Sequence, residues 1–501
     1  MSLVEYLVAA IKGHALDTAV VEGERSFTYQ ELDRASAEVC GGLLERGIQR
    51  DDVICVFATR SWQRCVMVLG VWRAGGSVLS IDPSMPAVRI RRIIETASPA
   101  LVISDEEAPQ LNAGVSQFTW DEIRSEPHEN LRVGELGYAI ATSGSTGTPK
   151  VVSVSAVTLE NLARWHVAHW RHSHVADTLH SASVGFDVIY EEMVAAWSTG
   201  AKLILVNDQQ RRDPFALVDL VRTHAVRRMF SPVGALHGLA MVTEALGAEL
   251  PTLCEIAVAG ERLIINDEVR SFCRKSNVEL INQYGPSETH LITQYRLSGD
   301  SAGWPDRPPI GSPVVGAELL CFDNGELRPF RKSETAEIVV AGNCVAVGYL
   351  GDKALTLQRF RTLLHRDGRM LRCYFTGDRA TFDGINFDFR GRLDDQLKIN
   401  GYRVEPGEVE ATVSAIAGVR QVAVIGIQSN GGMALAALYS EEPGTDLDPA
   451  YLRAACEAVL PEYMVPSVFT KIDQFPVTAN GKTDRRLLAG MLTAGAEKNN
   501  K

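Results

Sequence analysis

An α/β protein with a separate small C-terminal domain is predicted by three features of this 501-residue sequence. Apolar runs of five or six residues alternate with helical patterns from Val53 to Ala259. Short Val/Ile-rich pieces fill Ala317 to Gly348, and the character changes again after Arg392. Alternation of this kind implies largely parallel sheets covered by helices, because parallel neighbours need a crossover and the crossover is usually a helix. The length exceeds what one hydrophobic core holds and leaves room for two to four domains.

In chain order, MSLVEYLVAAIKG reads as an amphipathic helix, since it lacks the basic start and cleavage site of a secretory leader. VICVFA (53–58), GSVLSID (76–82), ALVIS (100–104), AKLILV (201–206) and EIAVAG (255–260) read as buried strands. Helical patterns around Val66–Ala74 and over Val88–Thr96 lie between them. AELLCF and AEIVVAG, after Ala317, suggest a small antiparallel region. Beyond Arg392, LKING leads into a helix within EPGEVEATVSAI, then strands VAVIGI and ALAALYS, a helix from Asp448 to Leu460, and FTKID. That is a compact α/β unit of about a hundred residues, within the usual domain size. The boundary is placed at Asp394–Asp395, giving domains 1–393 and 394–501, although a charged pair of this kind suits a surface loop as well as a hinge.

A formal charge of −12 argues against a nucleic-acid partner, which selects a basic face. Nine cysteines, odd in number and without a CxxC pair, read as thiols in a reducing compartment. No apolar run approaches a membrane span. These features together give a cytoplasmic protein with neither a nucleic-acid nor a membrane partner.

The run Thr142–Lys150, TSGSTGTPK, carries the most chemistry. Glycine lets backbone N–H groups turn toward an anion, hydroxyls add donors, and lysine adds a point charge. Thr142, Ser143, Gly144, Ser145, Thr146, Gly147 and Lys150 are therefore candidates for cradling polyphosphate. Thr148 and Pro149 separate the last glycine from the lysine and β-branched residues follow, so the loop joins two strands rather than opening a helix as a Walker loop does. A hairpin tip or a flexible linker has similar composition.

Three further stretches hold candidate residues. In INQYGPSETH (281–290), Tyr284 offers a face for a base, and Glu288 is a carboxylate of the kind magnesium takes together with phosphate oxygens. A strand, a turn and a helix capped by Ser287 is the structural alternative. In YFTGDRATFD (374–383), Asp378 follows a Thr-Gly turn, where a carboxylate chelates ribose hydroxyls or simply faces water. PVTANGKTDRR (476–486) carries Lys482 after an Asn-Gly turn, a position usually on the surface.

Taken in order, TSGSTGTPK, YGPSET, TGD, GRLDDQLKINGYR and NGK resemble the adenylate-forming superfamily. The likeness is to the amino acid adenylation domains of nonribosomal peptide synthetases and their free-standing relatives. FTYQELD (27–33), RAGGSVLSIDPSMP (73–86), AEIVVAGNCVAVGYL (336–350) and LPEYMVP (460–466) extend it over nearly the whole chain. The resemblance implies a large N-terminal domain of stacked α/β sheets with a β-barrel-like region, and a mobile C-terminal lid. It implies ATP and Mg²⁺, with Thr142–Lys150 around the β- and γ-phosphates and Glu288 on the metal. Gly260, Glu261 and Tyr284 would frame adenine, with Phe389 on its far side, and Asp378 and Arg392 would hold the ribose. Lys482 would bridge the substrate carboxylate and phosphate, assisted by Lys150. Rotation about Asp394 would then exchange Lys482 for a face bearing Lys398 and Gly401, which admits the thiol of a carrier protein. Asn400, Val347 and Ser287 depart from the family pattern, which has arginine, arginine and threonine there.

For the substrate, the resemblance assigns the pocket to Asp187, Val188, Glu191, Met229, Ala257, Ala259, Gln283, Leu291 and Ile292. Asp187 matches the aspartate that pairs with a substrate amino group; as plain structure it would cap the helix that follows. Glu191 lies one helical turn on, and its structural alternative is a solvated acid beside Glu192. Two carboxylates suggest a cationic, diamino or β-amino acid. His166, His169, His172 and His174 have the spacing of metal ligands, but Arg171 among them repels a cation, and one partly exposed helix end accounts for them. Only fifteen residues follow Arg486, with no carrier motif, so the thiol is expected from a separate phosphopantetheinylated carrier protein or from coenzyme A. The expected activity is ligation through aminoacyl-AMP. The alternatives are an acyl- or aryl-CoA ligase and a nucleotide-binding module without chemistry.

Overall fold

Burial decides the layout of the computed structural model, which describes residues 1–106, 111, 114–144, 147–429, 432–476 and 483–499. The chain divides into two compact units. The first holds Met1–Pro83, Ile94–Ala141 and Val151–Leu393; the second holds Ser84–Ile93, Thr142–Lys150 and Asp394–Lys501.

The first unit is built on three sheets. One has nine strands, with Thr18–Glu22, Leu203–Leu205, Thr178–His180, Arg228–Ser231, Glu255–Val258 and Glu279–Tyr284 running parallel through its centre. Antiparallel strands, Arg25–Thr28 on one side and Thr293–Leu297 with Ser312–Pro313 on the other, close its edges. A seven-stranded sheet places Val53–Phe57 between Ser77–Ile81 and Leu101–Ser104, all parallel. The helix Trp62–Arg73 packs in the core between covering elements and is buried on every side, which is why it reads as apolar all round. Its two arginines are buried with it: Arg64 donates to Ser80 Oγ, and Arg73 reaches Asp33 at 2.5 Å.

The FTYQELD stretch ends a strand and starts the helix Tyr29–Glu45 through a capping box, with Thr28 and Glu31 each satisfying the other's backbone N–H. The third sheet is antiparallel: Glu326–Pro329, Ala317–Asp323, Thr335–Gly342, Met370–Phe382 and Phe360–Leu364, with Phe387–Arg392 added on the long strand. A bridge between Leu327 and His365, with Arg366 N–H donating to the Leu327 carbonyl, brings its two edges together and nearly closes it. Closure removes the free edges that would otherwise pair with another chain.

The second unit centres on a hairpin, Val419–Ser429 with Gly432–Glu441, to which Val468–Lys471 adds in parallel. Helices Pro406–Ser414 and Pro449–Glu457 bear on one face of this sheet around Val409, Val413, Leu435 and Cys456. Leu397–Ile399 and Tyr402–Val404 form a small ribbon. Asn400 and Gly401 between them have φ of 51° and 84°, a two-residue turn with both central residues left-handed. Asn-Gly is the pair that such a turn favours, so asparagine at this departure from the family pattern has a local physical reason.

Among the described residues no helix is long and apolar enough to cross a membrane. All nine cysteines are free thiols. Trp197 closes the helix Val188–Trp197 and is fully buried in the main core. Trp197→Ala is expected to cost about 3–5 kcal/mol of unfolding free energy, read from a denaturant titration, because the cavity would be large.

Candidate active site

The substrate side of the site is organised by one helix and three strand ends. Val188–Trp197 starts with Asp187 at its N-cap, yet Asp187 has helical dihedrals and makes no side-chain cap bond. Its half-buried carboxylate forms no hydrogen bond or ion pair among the described residues, so the capping alternative is not realised. Glu191, one turn on, is 1% exposed, and Glu192 is fully buried; neither is the solvated acid that the sequence also allowed. Glu192 accepts the backbone N–H groups of Ser181 and Ala182, and its Oε2 lies 2.7 Å from His180 Nδ1. Glu191 Oε1 accepts from His166 Nε2 at 2.8 Å and Gln283 Nε2 at 3.3 Å.

Val188, Ala257, Ile281, Phe230 and Ala195 form a small apolar cluster beside these groups. Met229 is not part of it. The strand Arg228–Ser231 turns alternate side chains to opposite faces, and Met229 packs in the core with Leu179, Ile204 and Ile256. Phe230 takes the place expected of Met229. The strand residues Ala257 and Gln283 stand on the face of Phe230, and Ala259, half-buried, continues their alternation just past its strand. Leu291 and Ile292 are buried in the main core, with Ile292 N–H donating to the Tyr284 carbonyl.

The nucleotide candidates in the first unit form a second constellation. Tyr284 Oη donates to Asp378 Oδ2 at 2.6 Å, and Arg392 binds Asp378 Oδ1 across the paired strands. Burial, then the Asp378 charge, pushes the Tyr284 phenol well above its ordinary pKa, so it stays a donor. An ionised carboxylate has about four acceptor positions; two are used here, which leaves capacity for two hydroxyls of a diol. Asp378 is 2% exposed and lies within the strand Met370–Phe382 rather than after a turn. Gly377 before it has φ of 74°, and the pairing register with the neighbouring strand shifts between Glu337 and Val339. The Thr-Gly pair therefore makes a bulge, which re-aims the aspartate inward.

Phe389 lies 6.2 Å from the Tyr284 ring, tilted by 44°, and its carbonyl accepts from Arg262. Gly260 has φ of 92° just past the strand Glu255–Val258, and Glu261 follows, half-buried. After Tyr284, Gly285 is required: a Cβ there would sit 1.6 Å from the His290 carbonyl oxygen. No helix follows Ser287; the next element is the strand Thr293–Leu297. Glu288 is fully buried and accepts from Tyr349 Oη at 2.8 Å. One hard-oxygen ligand of this kind fits a magnesium ion whose other ligands are phosphate oxygens and water. Val347, two residues before Tyr349, is 49% exposed.

In the second unit, the loop Thr142–Lys150 joins the strands Leu136–Thr142 and Lys150–Ser155, as its β-branched flanks predict. Gly144 N–H donates to Glu408 Oε2 at 3.0 Å, and Glu408 also pairs with Arg89 at 2.5 Å. Lys150 Nζ is 3.4 Å from Glu405 Oε1, and Ser143 Oγ donates to the Arg403 carbonyl. The loop's N–H and ammonium groups thus hold carboxylate oxygens, the same charge and donor requirement as phosphate. Gly147 has φ of 82°, a Cβ on Gly144 would strike the Thr148 carbonyl at 1.9 Å, and the buried Thr142 hydroxyl has no partner among the described residues. Asp394 is exposed, Lys398 half-buried in the ribbon, and Gly401 in its turn. Ser145, Thr146 and Lys482 lie outside the described residues.

His166 is the site residue that sequence reasoning misread. It is buried in the helix Ala156–His169 rather than at an exposed end, and it meets the edge of Phe230 at 5.7 Å. Its spacing to Trp165 and Leu162, both inward, was the available signal. Among the described residues no group of three or more His, Cys, Asp or Glu side chains could hold a metal ion.

Comparison with known proteins bears on this geometry. The model of the AMP-binding enzyme family matches residues 7–350, and that of the AMP-binding enzyme C-terminal domain matches 408–482. The chain is 32% identical over 484 residues to gramicidin S synthase 2 of Brevibacillus brevis, covering 94% of this chain and 11% of that one. It is 31% identical over 481 residues to tyrocidine synthase 2 of Brevibacillus parabrevis, covering 94% and 13%. It therefore spans about a tenth of the length of these curated relatives. Among solved structures, PA1221, an NRPS protein containing adenylation and PCP domains, superposes with a TM-score of 0.83 at 24% identity, over 97% of this chain and 84% of that one. NpsA-ThdA, an artificially fused adenylation-PCP di-domain from Klebsiella oxytoca, gives 0.82 at 22% identity, over 94% and 93%.

The buried titratable groups set a pH dependence. Burial pushes the pKa of His166 and of His180 below the ordinary imidazole value, outweighing the neighbouring carboxylates. Desolvation raises the Glu191 pKa, but the hydrogen bonds from His166 and then Gln283 hold it below the ordinary carboxylate value. As pH falls below about 6.5, the unfolded chain takes up protons that the folded rings refuse, so stability falls; Glu191 extends the same sign below about 4.5. Urea titrations at pH 7, 6 and 5 are expected to show this decline, and His180→Gln to flatten it by up to about 1.4 kcal/mol per pH unit.

Proposed function

Because the chain belongs to the AMP-binding enzyme family of adenylate-forming ligases, we propose that it activates an amino acid with ATP. The products would be aminoacyl-AMP and pyrophosphate, and the aminoacyl group would then pass to the phosphopantetheine thiol of a separate carrier protein. The observation that carries the reading is the Asp187 carboxylate, which no described residue satisfies although its position invites a helix cap. An anion kept free beside an apolar cluster serves a substrate ammonium; fatty-acyl and aryl substrates bring nothing to pair with it. Glu191 and Gln283 give the pocket a polar wall, so amino acids with a second cationic or donor group, diamino and β-amino acids among them, belong to the range this reading covers.

In the first half-reaction a substrate carboxylate oxygen attacks the α-phosphorus, and the bond to the β-phosphate oxygen breaks. Two anions must meet, so positioning and neutralisation of oxygen charge supply most of the catalysis. Asp187 fixes the amino end; Tyr284, with Gly260 and Glu261, frames adenine; Asp378, braced by Arg392, takes the ribose hydroxyls. Lys150 and the N–H groups of its loop take the β- and γ-phosphates. Magnesium, when bound at Glu288, neutralises phosphate charge. Lys482 bridges the carboxylate and the α-phosphate. In the second half-reaction the thiol attacks the acyl carbon and AMP leaves, after residues 394–501 have rotated at Asp394 and the face of Lys398 and Gly401 has replaced Lys482. Free thiols throughout and a need for ATP fit a cytoplasmic enzyme.

ATP–pyrophosphate exchange tests the assignment. Lys482→Ala is expected to lower exchange by about a hundredfold or more while ATP binding survives, the scale seen when one preorganised charge-stabilising donor is removed. Asp187→Asn is expected to lower kcat/KM for the amino acid by about two orders of magnitude, the cost of removing one partner from a buried charged pair. Exchange with fatty or aryl acids but with no amino acid would overturn the reading.

A further inference from the structure

Among the described residues, donors reach one oxygen of Glu191 and not the other. Oε1 receives His166 Nε2 and Gln283 Nε2. The nearest charged group to Oε2 is the His290 ring, whose Nδ1 stands 3.9 Å away. That nitrogen already accepts the Leu291 backbone N–H at 2.8 Å, so in the neutral ring the proton is on Nε2, which faces the Asp187 carbonyl at 3.3 Å. At 3.9 Å the ring makes no hydrogen bond to Oε2.

The surrounding charges do not match it either. His166 donates a hydrogen bond but is held neutral by burial, and Gln283 carries no charge. On the neighbouring strands, Arg228 Nε lies 3.5 Å from Glu255, and Glu255 also takes Arg296 at 3.1 Å. Arg228 lies under the Trp170 ring, 4.5 Å from its centroid. Arg296 also pairs with Glu279, and Glu255 acts on the Arg228 charge more strongly than Glu191 does; among the described residues the Arg228 Nε and Nη1 protons lack hydrogen-bond acceptors. Among the described residues no lysine or arginine pairs with Glu191, and no donor reaches Oε2.

We infer that His166 is a positioning residue that holds Glu191 by Oε1, so that Oε2 accepts the second ammonium of a diamino acid whose α-ammonium sits on Asp187. This rests on the amino acid reading above. Asp187 and Glu191 are separated by four residues, so they stand on one helix face about 6 Å apart at Cβ. Two ammonium groups joined by a short aliphatic chain span such a gap, and Val188, Phe230, Ala257 and Ile281 offer that chain an apolar wall. Holding one carboxylate oxygen with a buried imidazole fixes the other in place, which a free glutamate on the same helix would not achieve.

The test is pyrophosphate exchange with 2,4-diaminobutyrate and ornithine, each against its alkyl isostere, norvaline and norleucine. The expected result is a kcat/KM for one diamino acid at least about tenfold above its isostere, the scale of a hydrogen bond to a charged group. His166→Ala is expected to cut that ratio about tenfold through KM, and His166→Gln, which keeps an N–H, to recover part of it. Glu191→Gln is expected to bring the ratio near one. Preference for the alkyl isosteres overturns the inference, as does preference for side-chain carboxylates, which would assign Arg228 instead. An equal loss on all substrates in His166→Ala also overturns it, because a purely structural role predicts that. If no amino acid supports exchange while aryl or fatty acids do, the amino acid reading itself has failed; exchange with neutral amino acids alone fails only this inference.

Discussion

A carboxylate taken out of water must be given donors, and much of this molecule is arranged to supply them. Asp378, Glu288, Glu191 and Glu192 are each 2% exposed or less in the first unit, as is Glu408 in the second. Every one is met by donors from elsewhere in the chain: Tyr284 and Arg392, Tyr349, His166 and Gln283, the Ser181 and Ala182 amides, and Arg89 with the Gly144 amide. Without these partners each acid would take up a proton or drag its segment to the surface. Within each unit these charges are therefore held in place because the fold cannot release them.

Asp187 is the exception. It sits where a carboxylate would ordinarily cap a helix, but its dihedrals are already helical and the cap bond is not made. Its half-buried carboxylate makes no hydrogen bond or ion pair among the described residues, and that is the observation behind the amino acid proposal. Glu191 repeats the theme at the level of one oxygen.

Strand geometry explains where residue patterns were translated well and where they were not. EIAVAG and INQYGP project Ala257 and Gln283 on one face because side chains alternate with a period of two. The same period turns Met229 away and brings Phe230 in, a one-residue slip that exchanges faces completely. The Thr-Gly before Asp378 looks like a turn in sequence because Gly377 adopts a left-handed conformation; inside a paired strand that conformation makes a bulge. Asn400 reads as a departure from a family motif, whereas its φ of 51° makes asparagine a suitable residue for a tight hairpin.

The sequence by itself determined the α/β alternation, the anion-binding composition of Thr142–Lys150, the order of motifs, and the candidates Tyr284, Glu288 and Asp378. These are local properties: period, turn chemistry and donor type are written within a few residues of one another. Only the tertiary structure decided that Tyr284 meets Asp378, 94 residues away, and that His166 holds Glu191, 25 away, with Gln283 a further 92 from that acid. It also decided which of two adjacent residues, Met229 or Phe230, packs with Val188, Ala257 and Ile281. Such pairings depend on which faces the sheets and helices bury against each other, and burial is a property of the packed chain rather than of any window along it.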